Sequence, residues 1–358
     1  MTDVVLITGA SGYLGRRLAH RFLDTSDVQL ILPVRSKERR EEVVTDLGPG
    51  AARVEFVECD LESPNAFRFL DAEHLRRVTS IVHAAAVTRF NVERSLGLAT
   101  NVAGTAQVLE VARRCDALES FDYLSTVYAT GLQDGLLPET VNDKAPRFTN
   151  TYEESKWMAE QLVAECDDLP WRILRVSTVL ADDDTGAVSQ YNAVHDTLKL
   201  YFYGLLSLLP GRADTPLYFV TGDFVTDAIV ALGRAHAPRG VYHLAHSRQE
   251  AVCLDQLIDL AFDAFSQADD FRRKRILRPL LADEESFTLL VEGVSPIAGG
   301  LVRSALGDVA PFARQLYVSK DVDNSRLREA LPSHRFPDTP ELVSRTCEHL
   351  VTTRWGRR

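Results

Sequence analysis

Tyr152 and Lys156 stand four residues apart in the stretch YEESK, a spacing that puts a phenol and an ammonium on one face of a helix. A free phenol, with a pKa near ~10, exchanges protons poorly at neutral pH. A neighbouring ammonium favours the phenolate and lowers that pKa, which fits the pair for acid–base work. By itself Tyr-x-x-x-Lys is a common surface-helix pattern. Upstream, LSTVYATG offers two more hydroxyls, Ser125 and Thr126, at the end of a strand-like run.

A second group of residues suggests a ligand. TGASGYLG, Thr8 to Gly15, follows the apolar run Val4–Ile7 and repeats glycine every third residue, with Ser11, Tyr13 and Leu14 between and after. Behind a strand, Gly9 suits a sharp turn, Gly12 a close approach of pyrophosphate to the backbone, and Gly15 tight packing of helix on strand. The N-terminus of the helix that follows would offer unpaired amides and partial positive charge to phosphates. A bare turn is the alternative. The strand before, the helix after and the next strand from Val28 favour the nucleotide.

These residues need a scaffold, and the first half of the chain provides an alternating one. Strand-like runs at 4–8, 28–34, 53–59, 80–86, 120–128 and 171–180 are separated by helical patterns at 13–23, 102–114 and 153–166. Apolar strands alternating with helices predict a doubly wound α/β fold with a parallel sheet covered on both faces. Beyond about Asp182 the rhythm changes, with strand-like pieces returning at 217–220 and 241–245 among helices interrupted by prolines. The predicted division is a nucleotide-binding domain over 1–181, with strands returning from about 217–245, and a smaller, mostly helical substrate lobe with a C-terminal extension over 182–358. Within that lobe Leu198, Tyr201, Phe202, Leu205 and Leu209 recur at helical spacing. This predicts an apolar helix lining one wall of the substrate cleft.

Composition bounds the function. A formal net charge of −11 over 358 residues argues against binding nucleic acid or anionic membrane. The basic cluster Arg272–Arg275 reads as solvated surface. Five scattered cysteines without a CxxC pair fit neither zinc nor a disulfide framework. No metal site is expected. There is no leader pattern at the start and no apolar run long enough to span a bilayer. The expectation is a soluble protein of the cytoplasm.

The variant spacing G-x-x-G-x-x-G of TGASGYLG resembles the extended short-chain dehydrogenase/reductase superfamily. The resemblance implies a Rossmann-type sheet, a nicotinamide cofactor, and a triad of Thr126, Tyr152 and Lys156, with Ser125 as a nearby second hydroxyl. Thr126 matches the residue that hydrogen-bonds the substrate carbonyl, and Lys156 the one that also holds the nicotinamide ribose. Asp60 and Leu61 resemble the pair that contacts adenine, and Ala84, Ala85 and Ala86 the small-residue floor beneath the cofactor. His83, just before them, reads as a packed strand-end residue. Asn101, in NVAGT, matches an asparagine that braces the central strands, although a helix cap would use the same residue type. The second strand ends in Arg35 where an acid would select a free ribose 2′-hydroxyl; a guanidinium there suits a 2′-phosphate. NADPH is therefore expected over NADH.

FDYLSTVYATG with NTYEESKWMAEQLV, LILPVRS, RILRVSTVLADDDTG and PLYFVTGDFVTDAIVALG is similar to the branch that contains thioester reductase domains and fatty acyl-CoA reductases. Val176 and Thr221 depart from it, each standing where the branch usually has proline. The branch implies reduction of an apolar acyl thioester, carried on coenzyme A or a separate acyl carrier protein, to an aldehyde and with a second hydride an alcohol. The alternative is an oxidoreductase of a ketone or hydroxyl on an apolar small molecule such as a sterol, flavonoid or polyketide. A nucleotide-sugar epimerase would usually carry an acid at Arg35, and a non-catalytic cofactor-binding regulator would lose Tyr152 or Lys156.

Overall fold

A computed structural model describes residues 3–63, 65–68, 70–90, 92–294 and 312–356. The apolar runs form seven strands of one parallel sheet: β1 (Val4–Thr8), β2 (Gln29–Val34), β3 (Val54–Glu58), β4 (Ser80–His83), β5 (Ser120–Thr126), β6 (Trp171–Val176) and β7 (Gly240–Leu244). Their order is β7-β6-β5-β4-β1-β2-β3. Leu6 of β1 sits in register with Ile31 of β2 on one side and Ile81 of β4 on the other.

Alternate residues of these strands feed two different cores, as the two-residue period of a strand requires. Leu6, Ile31, Ile81, Phe121 and Ile173 pack on one face of the sheet. Val5, Ile7, Leu30, Leu32, Val82 and Leu174 pack on the other. Both faces are therefore dry, which is why the strands read as unbroken apolar runs. Each fully buried Leu or Ile contributes roughly 1.5–3 kcal/mol.

The chain turns from β1 toward β2 on one side and β4 on the other, so the order of strands reverses there. In open parallel sheets that reversal opens a crevice at the carboxyl ends of the strands. Thr8, His83 and Thr126 all stand at such ends.

The run 171–180 is two strands. It breaks at Ser177, and Thr178–Ala181 leaves the sheet to pair with Phe219–Thr221. Thr221 ends that strand and caps the helix Gly222–Arg234 by accepting from the Phe224 amide. A third core joins Leu180, Leu198, Tyr201, Phe202, Phe265, Phe271 and Trp355 with Leu342, Val343 and Cys347 of the helix Thr339–Thr352. Among the described residues no helix is long and apolar enough to cross a membrane.

Candidate active site

The helix Tyr13–Thr25 begins at Gly12, and no side chain caps it. Gly9 holds φ +76°, and a Cβ there would lie 2.7 Å from the Ala85 backbone; one at Gly15 would lie 2.2 Å from the Gly9 carbonyl. At Gly12 a Cβ would meet only the Gly9 carbonyl, at 3.2 Å. The turn is thus compressed against its own scaffold yet open on the side of its bare helix N-terminus. That combination fits a nucleotide's phosphates.

Around it lies a cleft of about 750 Å³ whose wall includes Gly9, Gly12, Tyr13, Leu14, Gly15, Ala84 and Ala86 together with Thr126, Tyr152 and Lys156. The size falls within the ~300–1,000 Å³ of ordinary ligand sites. Ser11 joins the glycine turn, its carbonyl accepting from Arg16 at 3.4 Å. Tyr13 does not point free into the cleft: its hydroxyl donates to Asp182 at 2.7 Å, and burial with that carboxylate raises its pKa.

The strand ends are fastened by buried polar groups. His83 bonds Thr8 Oγ1 at 2.6 Å and Thr105 Oγ1 at 3.0 Å. Burial holds its pKa down at about 3, so it is a neutral packed residue. Thr8 Oγ1 also accepts from the Ala85 amide at 3.3 Å. Asn101 lies in a wide helical turn over Ala99–Ala103. Its side chain accepts from Val87 N at 2.8 Å and donates to Val87 O at 3.0 Å and Ser155 Oγ at 2.9 Å. It therefore ties the loop after β4 to the helix that carries Tyr152.

That helix, Thr151–Ala164, starts two residues before the expected Glu153 because Asn150 caps it, accepting from Glu153 N at 3.0 Å. Tyr152 and Lys156 are both inside it. Burial pushes the Tyr152 phenol up to about 12, and the nearby Thr126 hydroxyl opposes that shift only weakly; the bond seen at Thr126 Oγ1 is the one it accepts from the Tyr128 amide at 3.2 Å. The expected depression by Lys156 is therefore corrected. The ammonium donates to Leu124 O at 2.5 Å and sits 4.1 Å from the Tyr123 ring centroid. Burial lowers its own pKa to about 7.

Ser125 is occupied elsewhere. Its hydroxyl donates to Glu160 Oε1 at 2.5 Å, and Glu160 pairs with Arg175 at 2.7 Å. Arg35, which is not part of the cleft wall, follows β2 with its side chain 63% exposed and Glu62 as an ion-pair partner at 3.7 Å. Asp60 is exposed and accepts from the Glu62 amide at 3.2 Å. Leu61 is half-buried, its carbonyl accepting from Gln107 at 3.3 Å.

Three aromatic residues close the cleft around Tyr152 and carried no separate sequence signal. Phe90 lies 5.8 Å from the Tyr152 ring, Phe312 stacks on Phe90 at 5.5 Å, and Tyr128 meets Phe312 edge-on at 5.1 Å. Tyr128 stood within LSTVYATG, but Phe312 comes from the distant C-terminal part.

The expected cleft-lining helix over 195–209 is corrected as well. The helix is Ala193–Phe202, and Gly204 at φ +71° turns the chain before a strand at Leu208–Pro210. Phe202 is buried against Phe265 at 5.2 Å and Phe271 at 5.8 Å, while Leu205 is 44% exposed. Neither reaches the cleft. Its first turn does, through Ala193, Val194 and Asp196.

The model for the male sterility protein family, an NAD-binding domain, matches residues 7–229. Glycine betaine reductase ATRR of Emericella nidulans is 28% identical over 68% of this chain, which spans only 21% of that protein's length. Fatty acyl-CoA reductase 1 of Arabidopsis thaliana is 23% identical, over 81% of this chain and 74% of its own. The terminal R domain of the myxalamid PKS-NRPS pathway superimposes with a TM-score of 0.78 at 24% identity, over 99% of this chain and 92% of its own, which shows a shared fold.

Proposed function

The chain belongs to the male sterility protein family, within the extended short-chain dehydrogenase/reductases, and from that nicotinamide-dependent oxidoreductase family we propose that it is an NADPH-dependent reductase of acyl thioesters. The observation that carries this is the meeting of Thr126, Tyr152 and Lys156 in the same cleft into which the glycine turn opens. The relatives named as fatty acyl-CoA and glycine betaine reductases support reduction at the acyl oxidation level.

Bound reduced nicotinamide supplies the hydride for the thioester carbonyl carbon. The hydroxyls of Thr126 and Tyr152, which line the same cleft, are the donors that receive the oxygen as it gains charge, the kind of preorganised stabilisation that contributes most in such sites. Because burial keeps Tyr152 protonated at neutral pH, it has a proton to give to that oxygen. The resulting hemithioacetal collapses to aldehyde and thiol. One thioester, one hydride and one proton thus yield one aldehyde and one thiol. Lys156 supplies positive charge beside this proton path, and Asn101 fixes the helix that carries both residues. Ser125 is a positioning residue, acting through Glu160.

Arg35, exposed where the second strand ends, is the group that would meet a ribose 2′-phosphate. The glycine turn, Asp60, Leu61 and the alanines Ala84–Ala86 form the rest of the cofactor's bed.

The test follows NADPH oxidation with coenzyme A thioesters, aldehydes and ketones, together with release of free thiol. Oxidation that depends on thioester and liberates thiol is expected. Oxidation with ketones but with no thioester would overturn the reading.

A further inference from the structure

The helix Leu254–Phe265 places Leu254, Leu257, Ile258 and Ala261 at i, i+3, i+4 and i+7, one face of the helix. That face closes a cavity of about 50 Å³ whose other walls include Leu198, Leu217, Phe219 and Leu316. Tyr128, Thr178, Ala193, Val194 and Phe312 line both this cavity and the cleft that holds Tyr152. The two spaces therefore share one partition.

The chemistry of the walls restricts what could enter. At the partition the Tyr128 hydroxyl is bonded to Thr178 Oγ1 at 2.8 Å. Thr197 donates to Ala193 O at 2.8 Å, and Tyr218 to Lys320 O at 2.7 Å. Tyr201 is the lining residue whose buried hydroxyl has no partner among the described residues. One unbonded hydroxyl among hydrocarbon cannot replace the water that a sugar or charged group would lose. Apolar cavities stay dry and accept hydrocarbon, and since one of about 150 Å³ holds a benzene ring, a cavity of this size admits about two carbons. Well-packed interiors leave few such voids, and this one shares a wall with the cleft that holds the reacting groups.

Resting on the thioester reading above, we infer that this side cavity takes only the terminal carbons of the acyl chain and so sets the chain length that is reduced. The carbonyl end then lies at Thr126 and Tyr152, and the tail passes the partition of Tyr128, Val194 and Phe312. Leu257 and Ile258 are the specificity-determining residues.

The experiment compares kcat/KM for octanoyl-coenzyme A and acetyl-coenzyme A in the unaltered protein, Leu257→Phe and Ile258→Ala, with thermal melting and NADPH binding as folding controls. Filling the cavity with Leu257→Phe should lower the octanoyl-to-acetyl ratio by about tenfold or more, since each methylene in an apolar pocket is worth roughly 10–200-fold. Ile258→Ala should move the ratio the other way, and it decides the matter alone if the larger side chain prevents folding. A ratio unmoved in folded variants overturns the inference while leaving thioester reduction intact. No reduction of either thioester by the unaltered protein overturns both.

Discussion

Gln315 Nε2 donates a hydrogen bond to Glu153 Oε1 at 2.9 Å, joining residues 162 positions apart in the chain. Glu153 follows Tyr152 directly and is fully buried. Its carboxylate also accepts from Thr149 Oγ1 at 2.6 Å and Thr149 N at 2.8 Å. Lys320, held by Thr130 and the Gly131 carbonyl, adds a nearby positive charge. The C-terminal segment that supplies Phe312 to the cleft thus also grips the first turn of the helix carrying Tyr152.

Replacing Gln315 with Leu should therefore loosen that turn. A buried carboxylate deprived of one donor costs about 1–3 kcal/mol. Denaturant unfolding should show a lower midpoint with an unchanged slope, and kcat should fall with it. Wild-type stability and kcat in the variant would show that the segment merely lies against the helix.

Tyr152→Phe keeps the ring beside Phe90 and removes only the proton donor. Turnover should drop by ~10²-fold or more, the usual scale for one general acid, while NADPH affinity measured by fluorescence stays close to that of the unaltered protein. Substantial remaining reduction would place the proton donor elsewhere. Thr126→Ala, which removes the other hydroxyl of the cleft wall, should lower kcat less severely.

Arg35→Ala tests the cofactor. Its side chain is mostly solvent-exposed, with Glu62 its ion-pair partner at 3.7 Å, so the substitution should leave folding unchanged. A lost charge-assisted contact to phosphate is worth ~1.5–3 kcal/mol, or roughly tenfold to a hundredfold in affinity. NADPH binding should weaken by that factor and NADH binding should not. Equal affinity of the unaltered protein for both cofactors would remove Arg35 from this role.

Much of this architecture could be read from the sequence because the sheet is buried on both faces. Runs such as VVLIT and WRILRV are then apolar throughout. Tyr152 and Lys156 were legible for a different reason, since four residues on a helix fix their relation locally. Phe312, Gln315 and Lys320 were not, because only tertiary folding brings them beside residues more than a hundred and fifty positions earlier. The stripe from Leu198 to Leu209 misled because periodicity does not report where a helix stops. Gly204 ends it, and Leu209 reaches the side cavity from a strand instead. The direction of the Tyr152 shift was hidden too. Spacing brings a lysine near, but burial, which spacing does not encode, dominates.

Burial makes Lys156 the group that should govern the pH dependence of the reaction. Its pKa is lowered to about 7, with Glu160 opposing the effect of desolvation. Below that value the side chain is an ammonium beside the proton path, and above it the charge is lost. Tyr152, pushed up to about 12, stays protonated across the accessible range. The profile of kcat/KM, which reports the free enzyme, should therefore be flat on the acid side of about 7 and fall as pH rises through it. The same shift has a stability consequence. Between about 7 and the ordinary lysine value near ~10.4 the unfolded chain binds the proton that the folded chain has released, so this residue's contribution to stability rises with pH over that window. Activity and stability should thus move in opposite directions above neutrality. Lys156→Met, which is neutral at every pH, should have a low kcat/KM without the inflection near 7, and should lose the alkaline gain in stability. An unaltered protein whose kcat/KM keeps rising through pH 8 to 9 would show that the uncharged amine, rather than the ammonium, is the working form.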